Sequence, residues 1–281
     1  MKIIRSIKQM QQFAVNAKKR GKTIGFVPTM GYLHKGHLSL LKQAVKDTDV
    51  TVMSVFVNPI QFGPNEDFKK YPRDFGRDCR LAKLAGVGII FYPSTKDMYP
   101  EGFQTYIEVV DLSRYLCGEY RPGHFKGVAT VVIKLFNIVK PDISYFGQKD
   151  AQQAVIIRRM ATDLNMDLRV KVMPIIRDAD GLAMSSRNAY LSPTERKETL
   201  VLKSALQKAK DMINSDEIES RKIISQMRRI IKSAPSAKID YISIVDPQTL
   251  RDLKTIKGKI LIAVAVKIGK TRLINNVSLY V

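Results

Sequence analysis

His34-Lys35-Gly36-His37 is the first stretch of the chain whose residue types could do chemistry. Two imidazoles stand three positions apart with a glycine between them, where an apolar run (residues 23–29) has ended and a helical pattern begins. The first N–H groups of a helix lack partners within it, and the helix dipole adds partial positive charge. A phosphate suits that place. The glycine lets a ligand approach the backbone, and both imidazoles can donate hydrogen bonds to phosphate oxygens as negative charge builds up. A metal site is the other chemistry open to such a pair. Zinc would need a third ligand, the only other histidine is His124, and neither cysteine is near in sequence.

Three more stretches carry polar groups of the right kind. Asn58-Pro59-Ile60-Gln61-Phe62-Gly63 follows a second apolar run, and the amides of Asn58 and Gln61 can both donate and accept, which suits a hydroxy acid. In Phe146-Gly147-Gln148-Lys149-Asp150-Ala151-Gln152-Gln153 a strand pattern again gives way to a glycine and a helix. Asp150 reads as the N-cap, Lys149 could reach a phosphate, and Gln153 lies one turn further along. Met184-Ser185-Ser186-Arg187-Asn188 offers two hydroxyls and a guanidinium suited to triphosphate oxygens, on a loop that could close over a nucleotide. Taken singly, each stretch also has a plainer reading: a polar turn, a solvated lysine beside a capping aspartate, a polar linker.

The elements around these stretches form a pattern. Residues 23–29 and 50–57 read as buried strands flanking a helix over 37–46. Helical spacing over 73–85, 124–139 and 150–164 alternates with strand patterns at 88–93, 143–146 and 168–175. That alternation predicts an α/β fold with a doubly wound parallel sheet. In such a sheet ligands bind beyond the carboxyl ends of the strands, where the first three stretches fall. Past residue 188 the pattern becomes two helices, 193–214 and 220–232, then three strands, 238–245, 259–266 and 271–281. The chain divides on this reading into a domain over 1–178 and a smaller α+β C-terminal domain over 179–281, with the closing loop at its start.

Composition narrows the class. With 281 residues, 45% hydrophobic and 26% charged, the chain suits one large and one small globular domain and excludes a disordered chain or a disulfide scaffold. No apolar run approaches the roughly 18 residues of a membrane span. Lys2, Arg5 and Lys8 interrupt any signal-peptide core. Cys79 and Cys117 read as free thiols in a reducing cytoplasm, with a single bridge as the alternative. The net charge of +21 is spread along the chain and fits a nucleic-acid binder, an enzyme for anionic substrates, or a lysine-rich background. Arg221, Lys222, Arg228 and Arg229 share a helix without the interleaved aromatics of RNA recognition, and read as a solvated face.

From about Thr23 to Leu191 the chain resembles the pantothenate synthetase (pantoate–β-alanine ligase) family. PTMGYLHKGH looks like that family's version of the HIGH element of the adenylate-forming nucleotidyltransferases, and MSSRN like its counterpart of the KMSKS loop. FVNPIQF and FGQKDAQQ are ligase-specific, YRPGHFKGVATVV also looks like the family's, and the C-terminal third is matched more loosely. The resemblance implies a Rossmann-like sheet domain with a smaller C-terminal domain, usually as a homodimer. It implies two steps: pantoate attacks ATP to give pantoyl adenylate and pyrophosphate, then β-alanine displaces AMP. Mg²⁺ accompanies the triphosphate.

By position, the resemblance implies that Met30, Gly31, Tyr32, Leu33, His34, Lys35, Gly36 and His37 line the ATP site, with His34 and His37 on phosphate oxygens and His37 as the marked proton donor. Gln61 and Gln153 would bind pantoate, with Gln61 also near β-alanine, and Asn58 stands at the same rim. Gly147, Gln148, Lys149 and Asp150 would contact the nucleotide, Ile176 would meet its adenine-ribose end through the backbone, and Met184, Ser185, Ser186 and Arg187 would close over the phosphates. Gln148 stands where many relatives have glutamate. Both substrates of the first step are anions, so His34, His37, Lys149, Arg187 and a metal could together cancel their repulsion. No residue reads as a covalent nucleophile or as a fixed metal ligand. The alternatives are another adenylyl- or cytidylyltransferase of the same superfamily, or an RNA-binding protein.

Overall fold

The computed structural model describes residues 1–281. Its first part runs β1 (Lys2–Ile4), α1 (Ile7–Lys19), β2 (Ile24–Thr29), α2 (Lys35–Asp47), β3 (Val50–Val55), α3 (Phe75–Leu84), β4 (Ile89–Phe91), α4 (Thr95–Met98), α5 (Cys117–Tyr120), α6 (His124–Val139), β5 (Ile143–Gly147), α7 (Ala151–Asp163) and β6 (Arg169–Met173). The six strands form one sheet in the order β1-β4-β3-β2-β5-β6, every neighbouring pair parallel. The chain winds outward from β2 through β3 and β4, then returns to β5 on the other side of β2. Between β2 and β5 the winding reverses, and their carboxyl ends frame the crevice where open α/β sheets take ligands.

Alternation along each strand builds two cores. Phe26 faces one side with α1, α6 and α7, whereas its neighbour Val27 faces the other with α2 and α3. Burial of side chains such as Phe26 and Phe136 contributes about 1.5–3 kcal/mol each. The predicted strands and helices of this part are all present, with ends displaced by a few residues. Four elements carry no expectation from the sequence: β1, α1 and the four-residue helices α4 and α5. β1 is three residues long and adds to the sheet edge beside β4, too short for an alternation signal.

The remainder comprises α8 (Pro193–Glu198), α9 (Leu200–Asn214), α10 (Ser220–Ile231), β7 (Ala237–Val245), β8 (Lys259–Ile268) and β9 (Thr271–Tyr280). The three strands form an antiparallel sheet with β8 central, and α9 and α10 pack against it around Leu206, Met227 and Val264. The single helix expected over 193–214 is two. It is interrupted at Thr199, which is fully buried and whose hydroxyl donates back to the Arg196 carbonyl at 2.7 Å, a bond that bends helices. No helix is long and apolar enough to cross a membrane. Both cysteines are free thiols.

Candidate active site

Beyond the end of β2 the chain enters a tight loop. Gly31 and Tyr32 both have positive φ, 83° and 52°. Asp78 on α3 holds that conformation: its carboxylate accepts from Tyr32 N–H at 2.8 Å and Leu33 N–H at 2.7 Å. A side chain on Gly31 would place Cβ 2.9 Å from Asp78 Oδ2. Burial pushes the Asp78 carboxyl up, against the pull of those two N–H donors. Arg77 adds a bond from Nη1 to the Leu33 carbonyl at 2.9 Å.

The loop delivers two histidines to the start of α2. His34 is the N-cap, and its Nδ1 accepts from Gly36 N–H at 3.1 Å. His37 reaches back, its Nδ1 accepting from His34 N–H at 3.4 Å. The pair is a capping box made of imidazoles, with ring centroids 4.0 Å apart. Because both Nδ1 atoms accept, both rings carry their proton on Nε2. Burial, then the Lys149 charge, lowers His34 to about 4. Burial, then His34 and Lys149, holds His37 well below the usual imidazole range. At neutral pH each ring is uncharged and presents one Nε2–H donor.

Gln61 sits in the short 3-10 turn Pro59–Gln61 after β3. Gly127 of α6 makes room for it, since a Cβ there would lie 2.4 Å from the Ile60 carbonyl oxygen. His124 Nδ1 donates to the Gln61 carbonyl at 2.8 Å while its Nε2 accepts from Arg121 at 2.8 Å. Burial, then the Arg121 charge, brings His124 down to about 3, so it too is neutral. Arg121 is itself held by Glu66 at 2.6 and 2.7 Å. Asn58 stands at the same cavity as Gln61. It is 1% exposed, and its amide bonds Gln61, Gly127 and Tyr99, so it supports Gln61.

Lys149 follows the end of β5 and pairs with Asp150 at 3.3 Å. Asp150 occupies the N-cap position of α7 but makes no capping bond, contrary to expectation, because the 3-10 turn Gln148–Asp150 runs straight into the helix. The second sheet grips this loop: Asn276 of β9 donates from Nδ2 to both the Gln148 and Lys149 carbonyls at 2.9 Å. Met184 and Ile176 are tied by a Met184 N–H to Ile176 carbonyl bond at 3.0 Å, while the Ile176 N–H makes no backbone bond. Arg187 is held by Asp67.

These parts converge. Met30, His34, Gly36, His37, Asn58, Gln61, Gly147, Lys149, Asp150, Gln153, Ile176 and Met184 to Arg187 line one cavity of ≈ 220 Å³. A wider cleft of ≈ 1450 Å³ shares Lys149, Gln153 and Arg187 with it and extends over β9. It is the larger space, but the histidine pair lies in the smaller one. Five expected residues do not line the histidines' cavity. Gly31 and Tyr32 shape the loop, Leu33 is buried in the core, Lys35 is exposed, and Gln148 bonds Asn276 and Ser278 on the second sheet. Asp78, Arg121, Glu66 and Asp67 have roles here that the sequence reading did not assign. Asp78 had a signal, a carboxylate on the same helical face as Ala82; the others had none.

A parallel sheet with neutral imidazoles at a helix start, beside its switch point and facing a lysine, defines an α/β enzyme for phosphate-bearing substrates. Residues 2–278 match the model of the pantoate-beta-alanine ligase family. The pantothenate synthetases of Fervidobacterium nodosum and Acetivibrio thermocellus are 56% and 51% identical, over 98% and 99% of each chain. A crystal structure of pantothenate synthetase from Thermus thermophilus superposes with a TM-score of 0.94 at 40% identity, covering all of both chains. A pantoate-beta-alanine ligase from Francisella tularensis, complexed with beta-gamma ATP and beta-alanine, gives 0.79 at 35% identity, over 99% of this chain and 97% of that one. The chain belongs to the pantoate–β-alanine ligase family, whose members are enzymes that form pantothenate.

Proposed function

We propose that the protein joins pantoate to β-alanine in two steps in the ≈ 220 Å³ cavity. A pantoate carboxylate oxygen attacks the α-phosphorus of ATP, and the bond to pyrophosphate breaks. The β-alanine amine then attacks the acyl carbon of the adenylate, the bond to AMP breaks, and the amine proton passes to solvent. The observation that carries this reading is the capping box of His34 and His37, which aims two fixed, uncharged donors from the start of α2. Donors placed where charge develops lower the barrier without reorganising. Pyrophosphate leaves readily, so His37 stabilises it by a hydrogen bond and keeps its proton.

Lys149 and Arg187 would take phosphate oxygens, and Gln61 and Gln153 would hold pantoate. Bringing a carboxylate to a triphosphate is then a matter of positioning and charge neutralisation. The Francisella complex, with its nucleotide and β-alanine, supports the same two ligands here. No group of three or more His, Cys, Asp or Glu is placed to hold a metal. A magnesium ion would therefore be held mainly by phosphate oxygens and water, with Asp150 the carboxylate at the cavity, and would supply charge neutralisation. The same reading includes a homodimer, a cytoplasmic location and a division of the chain near residues 178 and 179; sedimentation at twice the 31.8 kDa chain mass tests the first.

Pyrophosphate release from ATP with Mg²⁺ and pantoate tests the mechanism. A burst of about one pyrophosphate per site, turning to steady AMP production when β-alanine is added, is the expected result. No release in either condition from folded protein would reject the substrate assignment.

A further inference from the structure

The orientation of the Gln61 amide is dictated from outside the cavity. The Gly127 carbonyl can only accept, and the Asn58 atom facing it at 3.1 Å must be the nitrogen. The same Nδ2 lies 3.0 Å from Gln61 Oε1. Asn58 therefore donates twice, and its Oδ1 is left for the Tyr99 hydroxyl at 2.7 Å. Burial raises Tyr99 far above neutral pH, so this hydroxyl stays a donor. Gln61 Oε1 is thus turned to Asn58, and Nε2 is the end that points away from it. Its partner is Met30 Sδ at 3.3 Å, a weak acceptor that a substrate oxygen would displace.

Tyr99 does not line the cavity. It follows α4, with its ring edge-on to Phe103 at 5.0 Å and tilted against Phe56 at 6.1 Å. We propose that Tyr99 is a positioning residue for pantoate: through Asn58 it fixes the Gln61 amide so that only N–H donors face the substrate, selecting an acceptor oxygen there. This rests on the assignment of Gln61 to pantoate, and the test separates the two.

Steady-state kinetics of Tyr99→Phe, Gln61→Ala and the double variant decide it. Tyr99→Phe raises the pantoate KM about 3- to 10-fold, the worth of one neutral hydrogen bond. It leaves kcat, the ATP KM and the thermal midpoint close to wild type, and in the Gln61→Ala background it changes nothing further. Asn58→Asp, which cannot donate to Oε1, raises the pantoate KM more than Tyr99→Phe. An unchanged pantoate KM in Tyr99→Phe, with Gln61→Ala impaired, overturns the relay alone. An equal rise in both backgrounds overturns it too, since Tyr99 would then act by loosening the fold. If Gln61→Ala itself leaves the pantoate KM unchanged, the assignment of Gln61 fails and the relay with it.

Discussion

Arg187 and Asp67 form a two-point pair, with Nε donating to one carboxylate oxygen at 2.9 Å and Nη2 to the other at 2.8 Å. The preceding acid along the chain, Glu66, grips Arg121 in the same way. Burial acts to raise Asp67, yet the Arg187 pair overrides it and holds the carboxyl below its ordinary range. A triphosphate that claims Arg187 must therefore displace Asp67 or share the guanidinium with it. Asp67→Asn keeps the shape and removes the competing charge. ATP is expected to bind about 3- to 10-fold more tightly, at about 1.4 kcal/mol per tenfold. Calorimetric titration checks this; weaker binding would mean that Asp67 aims Arg187 at the phosphate instead.

His37→Ala removes a fixed Nε2–H donor and is expected to slow adenylation roughly 100-fold or more. The native rate should stay flat from about pH 8 to about 6, because His34 titrates only near 4 and His37 lies well below the usual range. Single-turnover pyrophosphate formation measures both. An acid limb near the ordinary imidazole value of about 6.5 would contradict the neutral-donor reading.

All three histidines titrate low in the folded state. The sign follows: between the unfolded value of about 6.5 and the folded values, the unfolded chain binds more protons. Stability is flat above that window and falls as pH drops through it. Proton uptake on unfolding should approach three near about pH 5.5, each proton contributing about 1.4 kcal/mol per pH unit. Urea unfolding from about pH 7.5 to about 5 gives the slope, and a slope near zero would show the histidines to be freely titrating.

Gly127→Ala would set a Cβ 2.4 Å from the Ile60 carbonyl oxygen and 2.7 Å from Gln61 Cα. The 59–61 turn must shift, at a cost of about 1–3 kcal/mol, and the pantoate KM should rise more than tenfold. Denaturant unfolding and kinetics test the two effects together. A native KM would show that the turn relocates freely without moving the Gln61 amide.

Much of this was legible in the sequence because strands buried on both faces, such as Val50–Val55, leave continuous apolar runs, and motifs after such runs fall at one sheet edge. Hence His34, His37, Gln61, Lys149 and Gln153 could be placed at a common rim from residue order alone. The supports could not. Asp67 and Arg187 are 120 residues apart, and so are held together by tertiary structure alone. Asn58 had the residue type of a ligand, and only its burial and three bonds reveal a supporting role. Lys35 and Leu33 belong to the motif by position, but the local backbone turns one outward and the other into the core.

The bond from Asn276 to the Gln148 and Lys149 carbonyls has a meaning for biogenesis. The lysine loop takes its clasp from β9, the last strand of the chain, 127 and 128 residues further on. In the order of synthesis, these are bonds that the loop can make only after the small sheet's final strand exists.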